Sequence, residues 1–330
     1  MVKYIFDTHI IIYGKERKKK MNLLQVILPV IIMLIIGMIC REKKLISEEG
    51  IEGFQTLVMN FTLPISLFYT FYRASIKVDT VIFPITLFVV TAGGIFGGKL
   101  ICKLIKENDA YFPFTMTGYE AGMLGYALFG ILLGSDKITE FALMDIGHVL
   151  AIFTVYIAML KGVGGTRQTA KEVIKGILST PVLLAVLTGV VLSVTGIGGW
   201  IESSSIGPVL GGVCEFIAAP TSAVILVVIG YRMNFIGVAW KKISKVIILR
   251  LVQQGIMAAL VFAFFKTLGG IFAEPLTLIS VIVMLILPPP FIVPLYVEGE
   301  EKKEFYSSAI SVYTMVSIIG FMILSAVVLR

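Results

Sequence analysis

The sequence LPPPFIVP, residues 287–294, lies inside an apolar run that extends from about residue 275 to residue 297. Its three consecutive prolines, Pro288, Pro289 and Pro290, cannot sit in an unbroken helix, because each lacks an amide donor and blocks the preceding turn. In a lipid bilayer such an interruption is tolerated only where protein or a water-filled cavity satisfies the freed backbone groups. We therefore expect a broken membrane helix at this point.

The composition of the whole chain agrees with a membrane location. Of its 330 residues, 57% are hydrophobic and 15% are charged, whereas about 25% are charged in soluble domains. Apolar windows of about 20 residues, long enough to cross a bilayer, occur ten times, and we number them as segments 1–10: 22–40, 54–72, 80–102, 111–134, 141–160, 178–197, 207–230, 243–265, 275–297 and 305–328. The sequence thus predicts an all-α, multi-pass membrane protein with ten transmembrane helices.

The basic residues indicate how these segments are oriented. Lys and Arg concentrate in alternate connections, at residues 41–44, 99–106, 161–175, 232–245 and 302–303. By the positive-inside rule these connections are cytoplasmic, which places both chain ends outside. The basic run KERKKK at residues 15–20 contradicts this orientation, and whether residues 1–21 are native stays open.

The longest polar connection divides the chain into two halves of five segments, which must have opposite topology because five is an odd number. Prolines recur at similar offsets in the two halves: Pro29, Pro64 and Pro113, then Pro181, Pro220 and Pro275. This pattern favours two inverted five-helix repeats, an architecture common among secondary transporters. We expect four regions: an N-terminal basic extension (1–21), a first repeat (22–160), a cytoplasmic linker (161–176) and a second repeat (177–330).

Segment 4 carries TGYEAGMLGYALFG, residues 117–130, at the place that LPPPFIVP occupies in the second repeat. We expect a second interruption after Glu120, around Gly122 and Gly125. Glu120 lies about nine residues, or about 14 Å, from the start of its segment and hence near the bilayer midplane. Paired breaks at this depth present half-helix N-termini, which favour an anionic group. The alternative is that the prolines only kink packed helices.

Several short motifs resemble the auxin efflux carrier family of membrane transporters, which includes bacterial malate and malonate permeases. They are LPISLFYTF in segment 2, AAPTSAVILVVIGYRM in segment 7, GMLG at residues 122–125, LPPP in segment 9 and SSAISVYTMVSIIGFMI in segment 10. The resemblance implies that segments 4 and 9 cross at their breaks. It also implies a scaffold of segments 1, 2, 6 and 7, past which the remaining segments move like an elevator, and it is compatible with a homodimer formed through that scaffold.

Two positions depart from the family pattern. Where the family usually has an asparagine before the GxLG glycine and a proline after it, this chain has Glu120 and Ala127. A fixed negative charge beside an anion would repel it, unless Glu120 is protonated or a cation binds too. We therefore expect a cell-membrane symporter of a small organic anion, coupled to protons or sodium ions. Cation transport with Glu120 as ligand and a non-transporting membrane sensor stay open as alternatives.

Other polar residues inside the segments need a partner or a role, because ionisable groups are costly in a bilayer. Asn60 and Thr62 precede Pro64, and they either face the substrate or satisfy the backbone that this proline loosens. Asp145 and His148 share one helix face. They form either a proton relay that contributes to ion coupling or a solvated pair near the outer end of segment 5.

A second group of polar residues is expected to join helices. Glu215 in segment 7, and Arg250, Gln253 and Gln254 in segment 8, are candidates for interhelical pairing. The run GGIFGG at residues 93–98 provides a small-residue face that permits close helix packing.

Other classes of function find little support in the sequence. Neither a Ser, His and Asp group nor an HExxH pattern appears, so we do not expect an enzyme. The three cysteines lack metal-ligand spacing, a phosphate-binding Walker motif is absent, and the basic residues form no continuous surface for nucleic acid. We expect no cofactor and no metal, and the lipid bilayer as the surroundings.

Overall fold

In the computed structural model, the described residues are 23–74, 76, 78–134, 137–165, 169–233, 235 and 239–329. The N-terminal basic extension, residues 1–21, lies outside them. Within the described part the chain is all-helical and contains no strand. The α-helices are α1 (Leu23–Glu42), α2 (Glu48–Leu57), α3 (Leu63–Arg73), α4 (Ile82–Ile105), α5 (Tyr126–Leu133), α6 (Thr139–Ala151), α7 (Ile157–Val163), α8 (Ala170–Leu178), α9 (Pro181–Val194), α10 (Ile197–Ser203), α11 (Gly207–Ala218), α12 (Thr221–Arg232), α13 (Trp240–Leu268), α14 (Pro275–Ile286), α15 (Val293–Tyr296) and α16 (Glu300–Val328).

Shorter turns connect several of these helices within one segment. Wide π-helical turns at Val58–Thr62 and Ile152–Tyr156 join α2 to α3 and α6 to α7. Tight 3₁₀ turns occur at Val78–Val81, Phe112–Thr115 and Gly270–Ala273. Local sequence explains where many helices begin and end. Ser47 accepts a hydrogen bond from the Gly50 amide at the start of α2, and a left-handed glycine, Gly269, ends α13.

Five stretches of the described chain are long and apolar enough to cross a membrane: Asp79–Ile105, Thr139–Val163, Gly207–Arg232, Trp240–Leu268 and Glu300–Val328. A sixth is reached if the bent pair Ala170–Gly176 and Pro181–Val194 counts as one span. Helix is present in all ten predicted windows, although several windows contain interruptions. A multi-pass helical protein is therefore clear, while ten crossings in two inverted repeats stay a prediction.

The expected linker at residues 161–176 is partly helical. Helix α7 extends into it as far as Val163, and α8 begins in it at Ala170. The stretch AKEVIKGIL combines good helix formers with apolar residues at helical spacing, which explains why α8 forms.

Helix packing separates the segments into two sets. In the first, which we call the four-segment set, α1 packs on α12, α3 packs on α9, and α3 also contacts α11; these helices belong to segments 1, 2, 6 and 7. The second, the six-segment set, consists of segments 3, 4, 5, 8, 9 and 10. In it α4 packs on α6 and on the 3₁₀ turn of segment 4, and α13 contacts α4, α14 and α16. Segment 1 thus packs on segment 7, and segment 6 packs on segment 2. In each case the first segment of one half packs on the second segment of the other half, as expected of two repeats that pack against each other.

Glycines permit the closest of these approaches. A Cβ atom added to Gly37 of α1 would lie 2.2 Å from the Val227 carbonyl oxygen of α12, and one added to Gly147 of α6 would lie 1.7 Å from the Pro84 carbonyl oxygen of α4. In the GGIFGG run only alternate glycines pack this tightly: Gly94 lies against Thr117 and Gly98 against Pro113. The start of segment 4 therefore packs directly against the small-residue face of α4.

Candidate transport site

The interruption in segment 4 covers residues 116–120, whereas the sequence predicted it after Glu120, around Gly122 and Gly125. The segment enters as the 3₁₀ turn Phe112–Thr115, turns sharply at Gly118 with φ of +74°, and becomes helical again in the π-helical turn Ala121–Gly125 and α5. The left-handed backbone at Gly118 favours glycine. Gly122 and Gly125, the glycines on which the prediction rested, lie in the wide helical turn itself.

The interruption in segment 9 lies at the three prolines. Helix α14 ends at Ile286, Leu287 adopts an extended backbone with φ of −62° and ψ of 152°, and α15 begins at Val293. An extended backbone is the conformation expected of a residue that precedes proline. Pro288, Pro289 and Pro290 are all buried, so the freed backbone groups face protein.

The two interruptions contact each other directly. The Glu120 amide donates to the Pro288 carbonyl oxygen at 3.0 Å, and the Phe291 amide donates to Glu120 Oε2 at 2.8 Å. A Cβ atom at Gly118 would lie only 2.9 Å from Pro290 Cδ and Cγ. The sequence predicted half-helix N-termini at this crossing, whose amide groups would be free to bind an anion. Both of these amides instead have partners, and one partner is the carboxylate of Glu120 itself.

Arg250 of α13 connects the two interrupted segments. Its side chain is fully buried, and its guanidinium donates to the carbonyl oxygens of Thr115 (2.8 Å), Gly118 (2.7 Å) and Leu287 (2.8 Å). These carbonyls lie where the first halves of segments 4 and 9 end, so the positive charge is placed at the negative ends of two helical turns. The predicted interhelical role of Arg250 is thereby specified: it binds backbone of both breaks.

The two glutamines beside Arg250 hold the same region. Gln254 donates to the Met116 carbonyl oxygen at 2.6 Å and accepts a hydrogen bond from the Tyr119 hydroxyl at 2.9 Å. Gln253 donates to the Gly94 carbonyl oxygen of α4 at 2.8 Å. Segment 8 therefore supplies three adjacent polar side chains to the interruption of segment 4. Their clustering at positions 250, 253 and 254 is the sequence signal for this role.

Asp145 and His148 lie inside the protein, 2% and 4% exposed, so the alternative of a solvated pair near the outer end of segment 5 is wrong. The Tyr119 amide donates to His148 Nε2 at 3.0 Å. Because an amide can only donate, Nε2 carries no proton here, and Nδ1–H donates to Asp145 Oδ1 at 2.9 Å. The second carboxylate oxygen of Asp145 accepts from the Tyr126 hydroxyl at 2.9 Å. The pair therefore contacts the interruption of segment 4 directly.

The remaining predicted site residues lie in segments 2 and 4. Asn60 is exposed, whereas Thr62 is buried and its hydroxyl has no hydrogen-bond partner among the described residues. The two segments meet at Gly122, where an added Cβ atom would lie 3.3 Å from Met59 Cε. An added Cβ atom at Gly125 would lie 2.8 Å from Leu287. The structure thus brings Glu120, the glycines and the prolines together, with Asp145 and His148 beside them, and leaves Asn60 on the surface of segment 2.

A cavity of about 620 Å³ lies between the two sets. Its wall is formed by parts of segments 2, 4, 5 and 7, within residues 63–74, 126–139 and 215–222. Arg73, at the C-terminal end of α3, lines the cavity, so the cavity extends to the end of segment 2 that is opposite the connection at residues 41–44. Tyr126 lines it and is six residues, or about 9 Å of helix, beyond Glu120.

The predicted pairing partner Glu215 belongs to this cavity and not to Arg250. Tyr69 donates to Glu215 Oε1 at 3.3 Å and accepts a hydrogen bond from Arg73 Nη1 at 2.6 Å. Arg73 Nε also forms an ion pair with Glu202 at 3.0 Å. The end of the cavity at Arg73 therefore carries one guanidinium and one carboxylate, Glu215, while Glu202 pairs with the guanidinium without lining the cavity.

Within the described ranges, no three His, Cys, Asp or Glu side chains are placed to hold a metal ion together. Cys40, Cys102 and Cys214 are buried and free.

Comparisons with known proteins point to transport. Residues 23–172 match a family described as membrane transport protein. A protein of Methanothermobacter thermautotrophicus described as an uncharacterized transporter is 23% identical over 216 residues, covering 64% of this chain and 68% of that protein. The uncharacterized transporter YfdV of Escherichia coli is 23% identical over 182 residues, covering 52% of this chain and 58% of its own length. The chain thus spans about six tenths of the latter relative.

Proposed function

Since residues 23–172 match the membrane transport protein family, which confirms the resemblance drawn from the sequence motifs, we propose that this chain is a secondary active carrier of the cell membrane. It moves a small organic anion, a carboxylate, together with protons or sodium ions, by an elevator-like alternating-access mechanism. The crossing of segments 4 and 9 is the substrate site, and Glu120 is the coupling residue.

One observation carries this proposal. The Glu120 carboxylate accepts the Phe291 amide at 2.8 Å, which is the kind of donor that a half-helix N-terminus offers to an anion. Glu120 therefore occupies the place of a substrate carboxylate. For the substrate to bind there, Glu120 must lose its charge or move, and a bound proton accomplishes the first. The anion and the proton then bind together, which is symport.

The charges around the crossing agree with the binding of one proton together with one anion. Arg250 contributes one positive charge, while Glu120 and Asp145 contribute one negative charge each when ionised, and His148 is neutral because its Nε2 accepts an amide. A proton and a singly charged anion that enter together leave this sum unchanged. A carrier whose loaded and empty states have equal charge avoids an additional cost of moving charge through the bilayer.

The distribution of hydrogen bonds supports movement of one set past the other. In the four-segment set, Arg41 donates to the Met233 carbonyl oxygen and Tyr69 donates to Glu215. In the six-segment set, Arg250 and Gln254 hold segment 4. Each inter-segment hydrogen bond described above joins two segments of the same set. The close approaches between the sets at Gly122 and Met59 and at Gly130 and Ser222 are van der Waals contacts, which can slide without breaking polar bonds.

The proposal is tested by replacing Glu120 with Gln, which mimics the protonated carboxyl group and keeps an oxygen for the Phe291 amide. In proteoliposomes we expect Glu120→Gln to take up substrate without stimulation by a proton gradient, whereas Glu52→Gln, an exposed carboxyl on α2, behaves like the wild type. Candidate carboxylates come from a thermal-shift screen at two pH values, because a bound ligand raises apparent stability. Unchanged proton dependence in Glu120→Gln would remove this residue from the coupling role.

Movement between the sets is tested by a disulfide across their contact. A Cβ atom at Gly130 would lie 3.9 Å from Ser222 Oγ, so cysteine side chains at these two positions would lie in contact with each other. In a chain without its three native cysteines, Gly130→Cys with Ser222→Cys should abolish uptake after oxidation and recover it after reduction. The single Ser222→Cys variant is the control. Full uptake in the oxidised double variant would contradict an elevator-like movement.

Cation transport is the second candidate, because Glu120 and Asp145 place two carboxyl groups near the crossing. Uptake of a cation that requires Glu120 and proceeds without any organic anion would establish it. Ligand binding without flux would favour a membrane sensor instead.

A further inference from the structure

The cavity between the two sets has the size of a small-molecule site. Its volume of about 620 Å³ lies within the range of about 300–1,000 Å³ that is typical of ligand pockets. Its wall combines the small and apolar residues Ala127, Ile131 and Ala218 with a few polar groups. An apolar wall with a few convergent polar groups is the usual composition of such a site.

The charged groups of the cavity have both signs. Arg73 and Glu215 are joined through the Tyr69 hydroxyl, which accepts from the first and donates to the second. Arg73 is also paired with Glu202, so its positive charge is already balanced. A ligand that bears only negative charge is therefore opposed by Glu215, while a ligand that also bears a positive group can bind Glu215 and Arg73 together.

A third polar group in the wall lacks a partner. Thr221 is 7% exposed, lines the cavity, and its hydroxyl has no hydrogen-bond partner among the described residues. Buried hydroxyl groups are normally hydrogen-bonded. Thr221 is at the first turn of α12, six residues after Glu215 in segment 7, and therefore lies deeper in the cavity. A ligand that contacts both residues spans the outer half of the cavity.

We propose that this cavity binds a small carboxylate that also carries an ammonium group, a ligand of the α-amino acid class. The ammonium group binds Glu215, the carboxylate binds Arg73, and Thr221 donates to or accepts from the polar end. The ligand's side chain lies against the apolar wall. This inference rests on the proposed function and changes its substrate from a singly charged anion to a zwitterion, so that uptake with one proton moves one net positive charge. The zwitterion waits on the outer side of the crossing at Glu120.

The experiment compares amino acids with the same acids lacking the amine. Purified full-length protein is titrated with L-alanine and L-leucine, and with propionate and 4-methylpentanoate, and the thermal shift gives the apparent Kd. We expect the amino acids to bind and the deaminated acids to bind at least tenfold more weakly, because each lost hydrogen bond to a charged group costs about that much or more. In Glu215→Gln this preference should disappear, whereas Glu274→Gln, an exposed carboxyl outside the cavity, should retain it.

Equal binding of both classes to the wild type, or an unchanged preference in Glu215→Gln, would overturn the inference. Thr221→Val supplies a second test, and we expect it to weaken amino acid binding while leaving the melting temperature without ligand similar. Failure here is separable from failure of the proposed function. If another anion is taken up with protons and Glu120→Gln uncouples it, the carrier proposal stands without this inference. If amino acids bind with the expected preference but no flux occurs, this inference stands and the carrier proposal fails.

Discussion

Replacement of Arg250 with Met is expected to lower the free energy of unfolding by about 2–5 kcal/mol. The guanidinium donates three hydrogen bonds of 2.7–2.8 Å to backbone carbonyls of segments 4 and 9. Interhelical hydrogen bonds in membrane proteins average about 0.6 kcal/mol, whereas hydrogen bonds to charged groups are worth about 1.5 kcal/mol or more. Three such bonds give the stated range. Met has similar length, so the loss reports mainly the polar contacts.

The assay is reversible unfolding in mixed micelles, followed by circular dichroism. Lys242→Gln is the matched control, because Lys242 is an exposed basic residue on the same helix and surface changes stay within about 0.5 kcal/mol. Arg250→Lys should fall between the two, since an ammonium group cannot reproduce the planar fork of a guanidinium. If the Met variant is as stable as the control, or if the Lys variant matches the wild type, Arg250 does not hold the crossing.

Two further predictions concern backbone and surface charge. Gly118→Ala should destabilise the protein by about 1–2 kcal/mol, because alanine disfavours the left-handed backbone at this position. The contact of the added Cβ atom with Pro290 should increase this loss. By contrast Gly93→Ala, in open space on α4, should stabilise it by about 0.5–1 kcal/mol; similar melting temperatures of the two variants would refute this. The hydrogen bond from Lys245 lowers the pKa of Glu107. We expect Glu107→Gln to lower the free energy of unfolding by less than about 1 kcal/mol at neutral pH. This difference from the wild type should vanish as the pH falls through the lowered pKa, because the wild-type carboxyl group is then protonated as well. A difference that persists at a pH below that lowered pKa would contradict it.

Sequence reasoning located one of the two interruptions correctly and misplaced the other. Three prolines exclude a helix on covalent grounds, so the break at Pro288 follows from residue type alone. In segment 4 the glycines at 118, 122 and 125 are equivalent in the sequence. Only the fold distinguishes them, because Gly118 must pass Pro290 with a positive φ while the other two remain in helical turns. The sequence alone does not reveal which of these glycines contacts segment 9.

The partners of the buried polar residues were also beyond the sequence. Arg250 was a candidate for interhelical pairing, but the carbonyl groups that it binds carry no signal in their side chains. Asp145 and His148 were correctly paired by helical spacing. That they are buried was not predicted, because it depends on the helices of segments 3 and 9 that pack against segment 5. Asn60 was placed at the site from its distance to Pro64, which does not specify the face of a helix that contains a π-helical turn.

The separation of hydrogen bonds into two sets has a thermodynamic consequence. Substitutions that share no partner usually have additive effects on the free energy of unfolding, whereas substitutions within one network do not. Arg73 and Arg250 belong to different sets and have no common contact, so their effects should simply add. Arg250 and Gln254 both bind backbone of residues 115–118, and a double-mutant cycle on them should give a coupling energy. The boundary between the two bodies of the protein can thus be mapped by measuring where such coupling energies fall to zero.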